Sequence, residues 1–273
     1  KNRTLWLCTV LHGFTHTYQV ALIPLYLLIR KDFSLTSDGQ ATFFVTVMGI
    51  SYFLPSYFMG ILADRASRKK LLGTGLLINA AGFVGLALAP NYAAAIACLV
   101  VAGFGGSFYH PAATALIARL FPINTGKAFG KLGIGAALGF FVGPIYAGWR
   151  AQSAGWRQPI LELGILGLIG AAAFFWLAVE HKNPKPAAHT KIKVRLFATP
   201  LLWLLFLSAS FAFCLRDFAG MGMATLSSLF LQRAQGFSLW QTGLTLSCLY
   251  LASVISNPLF GGLSDRGRTR WTS

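Results

Sequence analysis

The chain has 273 residues, of which 55% are hydrophobic and 11% are charged. Soluble domains carry about 25% charged residues, so this composition excludes an ordinary soluble globular protein. The net charge of +16 arises from 23 Lys and Arg against 7 Asp and Glu. Apolar runs separate these basic residues, which excludes nucleic acid as the expected partner and favours loops beside an anionic lipid bilayer.

Eight apolar stretches are long enough to cross a bilayer as helices. A spanning helix needs about 20 mainly apolar residues, because lipid offers the backbone no hydrogen-bond partner. The sequence therefore predicts an all-α membrane protein. In chain order the predicted spans are 4–29, 40–62, 71–90, 93–118, 129–149, 159–179, 201–222 (or as far as 231) and 240–262.

The distribution of basic residues predicts the orientation of the chain. If the N-terminus is cytoplasmic, 17 of the 23 Lys and Arg residues fall in segments on the inner side and five on the outer side. Cytoplasmic loops carry the excess of Lys and Arg in membrane proteins. We therefore expect a cytoplasmic N-terminus.

The chain divides at its longest polar stretch. That stretch, 181–200, follows six spans and precedes two, which predicts a six-helix bundle at 1–180, a cytoplasmic linker at 181–200 and two further helices at 201–273. Similar loops recur two spans into each part. They are Gly60-Ile-Leu-Ala-Asp64-Arg65-Ala-Ser-Arg68-Lys69 and Gly261-Gly-Leu-Ser-Asp265-Arg266.

The repeated loop resembles the signature between the second and third helices of the major facilitator superfamily of secondary transporters. This resemblance implies the major facilitator fold, with a six-helix N-terminal bundle followed by the first two helices of the C-terminal bundle. Members have twelve spans, so we expect the first two-thirds of a transporter, monomeric and located in a bacterial inner membrane. The Asp and its basic neighbours are expected to form a gate that closes the cytoplasmic side, while the Gly lets helices meet closely.

Span five contains a second motif of this superfamily. Gly139-x-x-x-Gly143-Pro144-x-x-Ala147-Gly148 resembles the Gly-Pro motif of the antiporters, with Ala147 in place of a Gly. Small residues four apart let helices approach, and a proline removes one backbone hydrogen bond and bends the helix. The resemblance implies export, although tight helix packing alone also explains the glycines.

Spans one and four resemble the fosmidomycin-resistance group of the superfamily. The resemblance rests on His12-Gly-Phe-Thr-His16-Thr-Tyr18-Gln19 in span one and on Phe108-Tyr109-His110-Pro111 in span four. His16 replaces an Asp of that group, so a carboxylate proton carrier is not expected at this position. The predicted substrate and proton pathway consists of the ionisable residues described next together with His12, His16, Tyr18, Gln19, Tyr109 and His110.

Ionisable residues inside spans are costly and therefore candidates for function. His12 and His16 share one helix face with Gln19, and His110 lies at a similar depth, which predicts a shared cavity serving proton coupling, substrate binding or both. The structural alternative is a neutral imidazole that is hydrogen-bonded to a neighbouring helix.

The other ionisable residues in spans are Glu162, Arg216 and Asp217. The adjacent side chains of Arg216 and Asp217 diverge by about 100°, so separate partners are expected: an anionic substrate or Glu162 for the Arg, and a proton for Asp217. The alternative is a structural Arg–acid pair that closes the outer side.

These features predict a secondary transporter that exports a small drug-like or anionic metabolite in exchange for protons, by alternating access. A proton symporter that imports an organic acid or other nutrient remains an alternative, as does a non-transporting membrane sensor or scaffold. The four cysteines lie in apolar stretches without ligand-like spacing. No nucleophile elbow, phosphate loop or metal-ligand set is found, so neither an enzyme nor a cofactor or metal is predicted.

The orientation can be tested by cysteine labelling. In a background without the native cysteines, we expect Pro186→Cys to react only with reagents that reach the cytoplasm, and Ser153→Cys and Gln235→Cys only with external reagents. The physical reason is the excess of Lys and Arg on the inner side. The reverse labelling at any of the three positions would contradict the predicted topology.

Overall fold

The computed structural model describes residues 1–179, 197 and 199–271, with side chains to residue 266. The linker predicted at 181–200 lies outside the described residues, except for its last few positions. Within the described part the chain is helical, with one 3-10 turn at Ile23–Leu25. The helices are α1 (Asn2–Val20), α2 (Tyr26–Asp32), α3 (Asp38–Phe53), α4 (Ser56–Arg65), α5 (Arg68–Leu88), α6 (Tyr92–Gly106), α7 (Tyr109–Leu120), α8 (Thr125–Ala154), α9 (Arg157–Leu177), α10 (Pro200–Arg233) and α11 (Leu239–Trp271).

Seven helical segments of the described chain are long and apolar enough to cross a membrane. They match the second to eighth predicted spans, and α10 takes the longer of the two extents considered for span seven. The first predicted span, 4–29, is not among them. It divides into α1, the 3-10 turn and α2, and α1 carries two histidines and several threonines that lower its hydropathy.

The polar helix α1 is stable because other helices cover it and its polar groups are paired. Its threonine hydroxyls donate to backbone carbonyls: Thr9 to Leu5 at 3.0 Å and Thr15 to Leu11 at 3.0 Å. Both histidines of α1 are buried, as are its central threonines Thr9, Thr15 and Thr17. Buried polar groups cost little once they are hydrogen-bonded, so α1 can occupy the interior of the bundle.

Two of the spans are broken in the middle. Span two divides into α3 and α4 at Leu54–Pro55, and span four divides into α6 and α7 at Ser107–Phe108. Pro55 and Pro111 have no backbone N–H, which interrupts the helical hydrogen bonds one turn before each proline. The second break sets the start of α7 and thereby the position of His110.

Helix α8 presents two opposite glycine faces to its neighbours. On one face, Gly135, Gly139 and Gly143 lie against α1, and a methyl group at Gly139 would overlap the Gly13 carbonyl. On the other face, Gly126, Gly130, Gly133 and Gly148 lie against α11. Glycine spacing therefore fixes how closely α1, α8 and α11 approach.

The C-terminal ends of α2 and α5 are joined to the N-terminal end of α9 by one arginine that the sequence analysis did not single out. Arg157 pairs with Asp32 at 2.8 Å and donates to the carbonyls of Ala87 and Ala89 at 2.9 and 2.8 Å. The indole N–H of Trp156 donates to the same Asp32 at 3.1 Å. This network satisfies the carbonyl groups at the end of α5.

Helix α10 contacts the rest of the described chain through its C-terminal part. Every residue from Thr199 to Gly220 is exposed, whereas Ala224 and Ser228 are buried. The Ser228 hydroxyl donates to the Ile23 carbonyl at 2.7 Å, and the Gln232 amide donates to the Pro24 carbonyl at 3.1 Å. The C-terminal end of α10 thus docks on the 3-10 turn that interrupts the first predicted span.

Candidate functional site

Three histidines meet in the interior, between α1 and α7. His12 and His16 lie one turn apart on α1, with their Nε2 atoms 3.0 Å from each other. The ring of His110, in the first turn of α7, lies 5.1 Å from that of His12 and 5.6 Å from that of His16. These three side chains, which the sequence predicts to share one cavity, are therefore neighbours. We call His12, His16 and His110 the histidine cluster.

Each Nδ1 atom on α1 faces an oxygen. His12 Nδ1 donates to the Leu132 carbonyl of α8 at 2.8 Å, and His16 Nδ1 donates to Gln19 Oε1 at 2.7 Å. The first is the hydrogen bond to a neighbouring helix considered as the structural alternative. A carbonyl can only accept, so this contact fixes the tautomer of His12 and leaves a lone pair on its Nε2.

Aromatic rings connect the histidine cluster to α11. The Phe140 ring of α8 lies 4.3 Å from that of His16, and Tyr250 of α11 stacks on Phe140 at 4.7 Å. Tyr109 stacks on His12 at 4.8 Å, and its hydroxyl donates to the Cys8 carbonyl at 2.7 Å. Sequence reasoning missed Phe140 and Tyr250, since nothing local marks an aromatic residue as central.

Tyr18, predicted as part of the pathway, lies apart from the histidine cluster. Its hydroxyl donates to the Leu163 carbonyl of α9 at 2.9 Å, and its ring lies 4.2 Å from that of Phe83. Two residues along a helix correspond to a rotation of about 200°, which turns Tyr18 away from His16. The structure therefore places Tyr18 in the packing between α1 and α9.

Glu162 lies in a separate group formed by α8 and α9. Its carboxylate pairs with Arg150 at 2.9 Å and accepts hydrogen bonds from the Tyr146 hydroxyl and from Gln158, the latter at 2.9 Å. Pairing between Glu162 and Arg216, considered from the sequence, is not observed among the described residues. Arg150 balances the charge of Glu162 instead. The observed partners assign Glu162 to the packing of two adjacent helices.

The expectation of separate partners for Arg216 and Asp217 is wrong. The two side chains pair at 2.7 Å and are both more than half exposed, with relative exposures of 67% and 52%. Adjacent side chains diverge on a helix, but the long arginine side chain bends back toward Asp217. Its guanidinium lies 5.0 Å from the Phe213 ring centre. Asp217 also lies within electrostatic range of His110.

The two gate motifs differ in their contacts. In the first, Asp64 pairs only loosely with Arg68, at 3.9 Å, and Gly60 faces Pro111 of α7. Arg65 is exposed and Lys69 is half-buried. The Arg68 guanidinium also donates to the Ala63 carbonyl at 3.2 Å, which ties the end of α4 to the start of α5.

In the second motif, the acid caps a helix of the N-terminal bundle. Asp265 accepts hydrogen bonds from the backbone N–H groups of Gly126 and Lys127, at 2.8 and 2.7 Å. These are orphan donors at the N-terminus of α8, where the helix dipole also favours a carboxylate. Gly261 lies directly against Gly126, whereas Arg266 is exposed.

The comparison with protein families decides the identity of the fold. The sequence model of the Major Facilitator Superfamily matches residues 5–273. The chain belongs to the Major Facilitator Superfamily. The all-α membrane fold of the described residues agrees with this membership.

Relatives within the superfamily include two bacterial resistance proteins. The chain is 28% identical over 201 residues to the quinolone resistance protein NorA of Staphylococcus aureus, covering 69% of this chain and 50% of NorA. It is 33% identical over 130 residues to a multidrug resistance protein B homolog of Mycobacterium tuberculosis, covering 47% of this chain and 24% of the relative. The chain thus spans half or less of these relatives.

Two solved transporter structures share the fold. A bacterial homolog of the human lysosomal transporter Spinster, inward-facing and unoccupied, matches 91% of this chain and 59% of its own length, with a TM-score of 0.75 and 20% identity. The occupied form matches with a TM-score of 0.73 and 21% identity.

The cap on α8 gives a prediction for this superfamily member. Asp265→Ala removes both acceptors from the N-terminus of α8, and we expect a loss of about 1 kcal/mol in the free energy of unfolding. Asp265→Asn keeps one acceptor oxygen and should lose less. Chemical unfolding of the purified protein in detergent measures both, and a wild-type value for Asp265→Ala would exclude the capping role.

Proposed function

We propose that the chain is part of a proton-coupled exporter of small organic compounds that works by alternating access. The observation that carries this proposal is the histidine cluster, a buried polar group at the meeting of α1, α7 and α8. Phe140 and Tyr250 extend it to α11, so it lies where the N-terminal bundle (α1–α9) meets α11. A polar site inside a membrane domain is costly to keep without a function.

The direction of transport is inferred from the relatives. NorA carries the name of a quinolone resistance protein, and the mycobacterial relative that of a multidrug resistance protein. Resistance is consistent with export, and the Gly-Pro motif of α8 resembles that of antiporters. We infer a bacterial inner-membrane location with a cytoplasmic N-terminus, as the distribution of Lys and Arg favours.

Two sets of contacts between α1–α9 and α10–α11 support alternating access. On the predicted outer side, Arg233 pairs with Asp38 at 2.7 Å, beside the bonds from Ser228 and Gln232 to the 3-10 turn. On the predicted inner side, Asp265 caps α8. Each set consists of few polar contacts, so breaking one set while keeping the other gives access to one side at a time.

The same geometry supports a mixed apolar and polar binding site. Phe140, Tyr109 and Tyr250 offer ring faces, and the imidazoles and Gln19 offer polar atoms in the same place. Ligand sites in proteins are largely apolar with a few placed polar groups. Small drug-like compounds with aromatic and polar parts fit this description.

Proton coupling requires a group that exchanges its proton as the two parts move. In our proposal Asp217 is this group. It lies on the exposed part of α10, within electrostatic range of His110 on α7. Movement of α10 relative to the N-terminal bundle changes the charges around the carboxylate.

The coupling role predicts a specific defect. Asp217→Asn removes the titrating group but keeps its shape, so gradient-driven transport should fall to background while substrate counterflow persists. The measurement compares both fluxes in proteoliposomes that contain the complete protein. Substrate movement in response to a proton gradient in the opposite direction supports export by antiport, and co-directional movement supports the symporter.

Glu162→Gln provides the matched control for this prediction. It removes the other acid within the spans, but that acid lies in the Arg150 and Tyr146 group. We expect coupling to survive in Glu162→Gln. Full gradient-driven transport by Asp217→Asn would contradict the coupling role, and a protein without flux for any compound would favour the sensor.

A further inference from the structure

We propose that His12, His16 and His110 bind a divalent transition-metal ion of the Zn²⁺ class. The nitrogen atoms that these three side chains can offer as ligands all lie within 4.8 Å of one another. Two of the histidines are buried and the third is half-buried, so the site is enclosed yet reachable from the side of His110.

The spacing of the pair on α1 suits a common metal. Zn–N bonds measure about 2.0–2.1 Å, so two nitrogens of a tetrahedral site lie roughly 3.3 Å apart. The Nε2 atoms of His12 and His16 are 3.0 Å apart. Histidines four residues apart also lie on one face of a helix, as in helical zinc motifs.

The hydrogen bonds behind the two imidazoles are those that metal ligands require. A metal-bound histidine usually donates its other ring N–H to a carbonyl or carboxylate, which orients the ring and fixes the tautomer. His12 does so to the Leu132 carbonyl, and His16 to Gln19 Oε1. Both Nε2 atoms are thereby directed at the same point.

A positive charge between the two rings fits this arrangement. Because each neutral imidazole donates through Nδ1, each Nε2 bears a lone pair, and the two lone pairs face each other at 3.0 Å. Such lone pairs repel unless a cation lies between them. A metal ion satisfies both at once, and a single shared proton is the competing occupant.

His110 supplies the third ligand. It lies at the start of α7, directly after the break at Ser107–Phe108, and its ring is near both other imidazoles. A ring movement of about 1–2 Å brings its nitrogen to bonding distance of a shared ion.

The chemistry of the ligands selects the class of ion. Imidazole suits Zn²⁺, Cu²⁺, Ni²⁺ and Co²⁺, whereas Ca²⁺ and Mg²⁺ prefer oxygen ligands. With three imidazoles bound, a tetrahedral ion keeps a fourth position for water or another donor. The site therefore resembles open zinc sites more than closed structural ones.

Binding can be measured with Co²⁺ as a spectroscopic probe on the purified full chain in detergent. We expect one Co²⁺ per chain with the strong visible absorption of tetrahedral coordination, displaced by Zn²⁺. His16→Asn and His110→Asn should each lose this absorption. Gln19→Leu, which removes only the hydrogen bond behind His16, should keep the spectrum and bind Zn²⁺ about 10–100-fold more weakly.

The double variant His181→Asn/His189→Asn is the matched control, because it removes the remaining two histidines of the sequence. It should bind as the wild type does, and circular dichroism should show that every variant keeps its helical content. Three results would overturn the proposal: no tetrahedral absorption in the wild type, undiminished binding in both cluster variants, or loss of binding in the double variant alone. The first would leave a shared proton as the occupant.

Discussion

The close approach of α8 to two different helices is the constraint on which the rest of the structure depends. Glycines four residues apart on one face admit the backbone of α1, and those on the opposite face admit α11. The hydrophobic effect does not drive helix association in lipid. Close packing of backbones at small residues must therefore stabilise the association. The distance between the N-terminal bundle and α11 is therefore set by residues without side chains.

The histidine cluster occupies its position as a consequence of this packing. Because α1 lies against α8, His12 reaches the Leu132 carbonyl and His16 reaches Phe140; because α11 lies against α8, Tyr250 stacks on Phe140. One helix thus supplies the hydrogen bond that orients a histidine and the ring that connects the two parts of the chain. Polar contacts at the two ends, Arg233 with Asp38 and Asp265 with α8, complete the connection.

Hydropathy predicted the second to eighth spans, since a membrane helix must be long and apolar. Residue spacing predicted that His12 and His16 share a face. Helix rotation alone also separates Tyr18 from His16, although the sequence analysis grouped them. The Glu162–Arg150 pair and the Phe140–Tyr250 stack could not be predicted from the sequence, because they depend on how separate helices pack. The pairing of Arg216 with Asp217 depends on rotamers, which the divergence of adjacent positions does not determine.

The most direct test of the two-faced packing of α8 is the free energy of unfolding of three glycine-to-alanine variants. Gly139→Ala meets the Gly13 carbonyl and Gly130→Ala meets the backbone of α11, whereas Gly49→Ala in α3 has open space. We expect the first two to lose about 1–3 kcal/mol from overpacking. Gly49→Ala should gain about 0.5–1 kcal/mol from helix propensity. Equal stabilities for all three variants would contradict the packing on which this account rests.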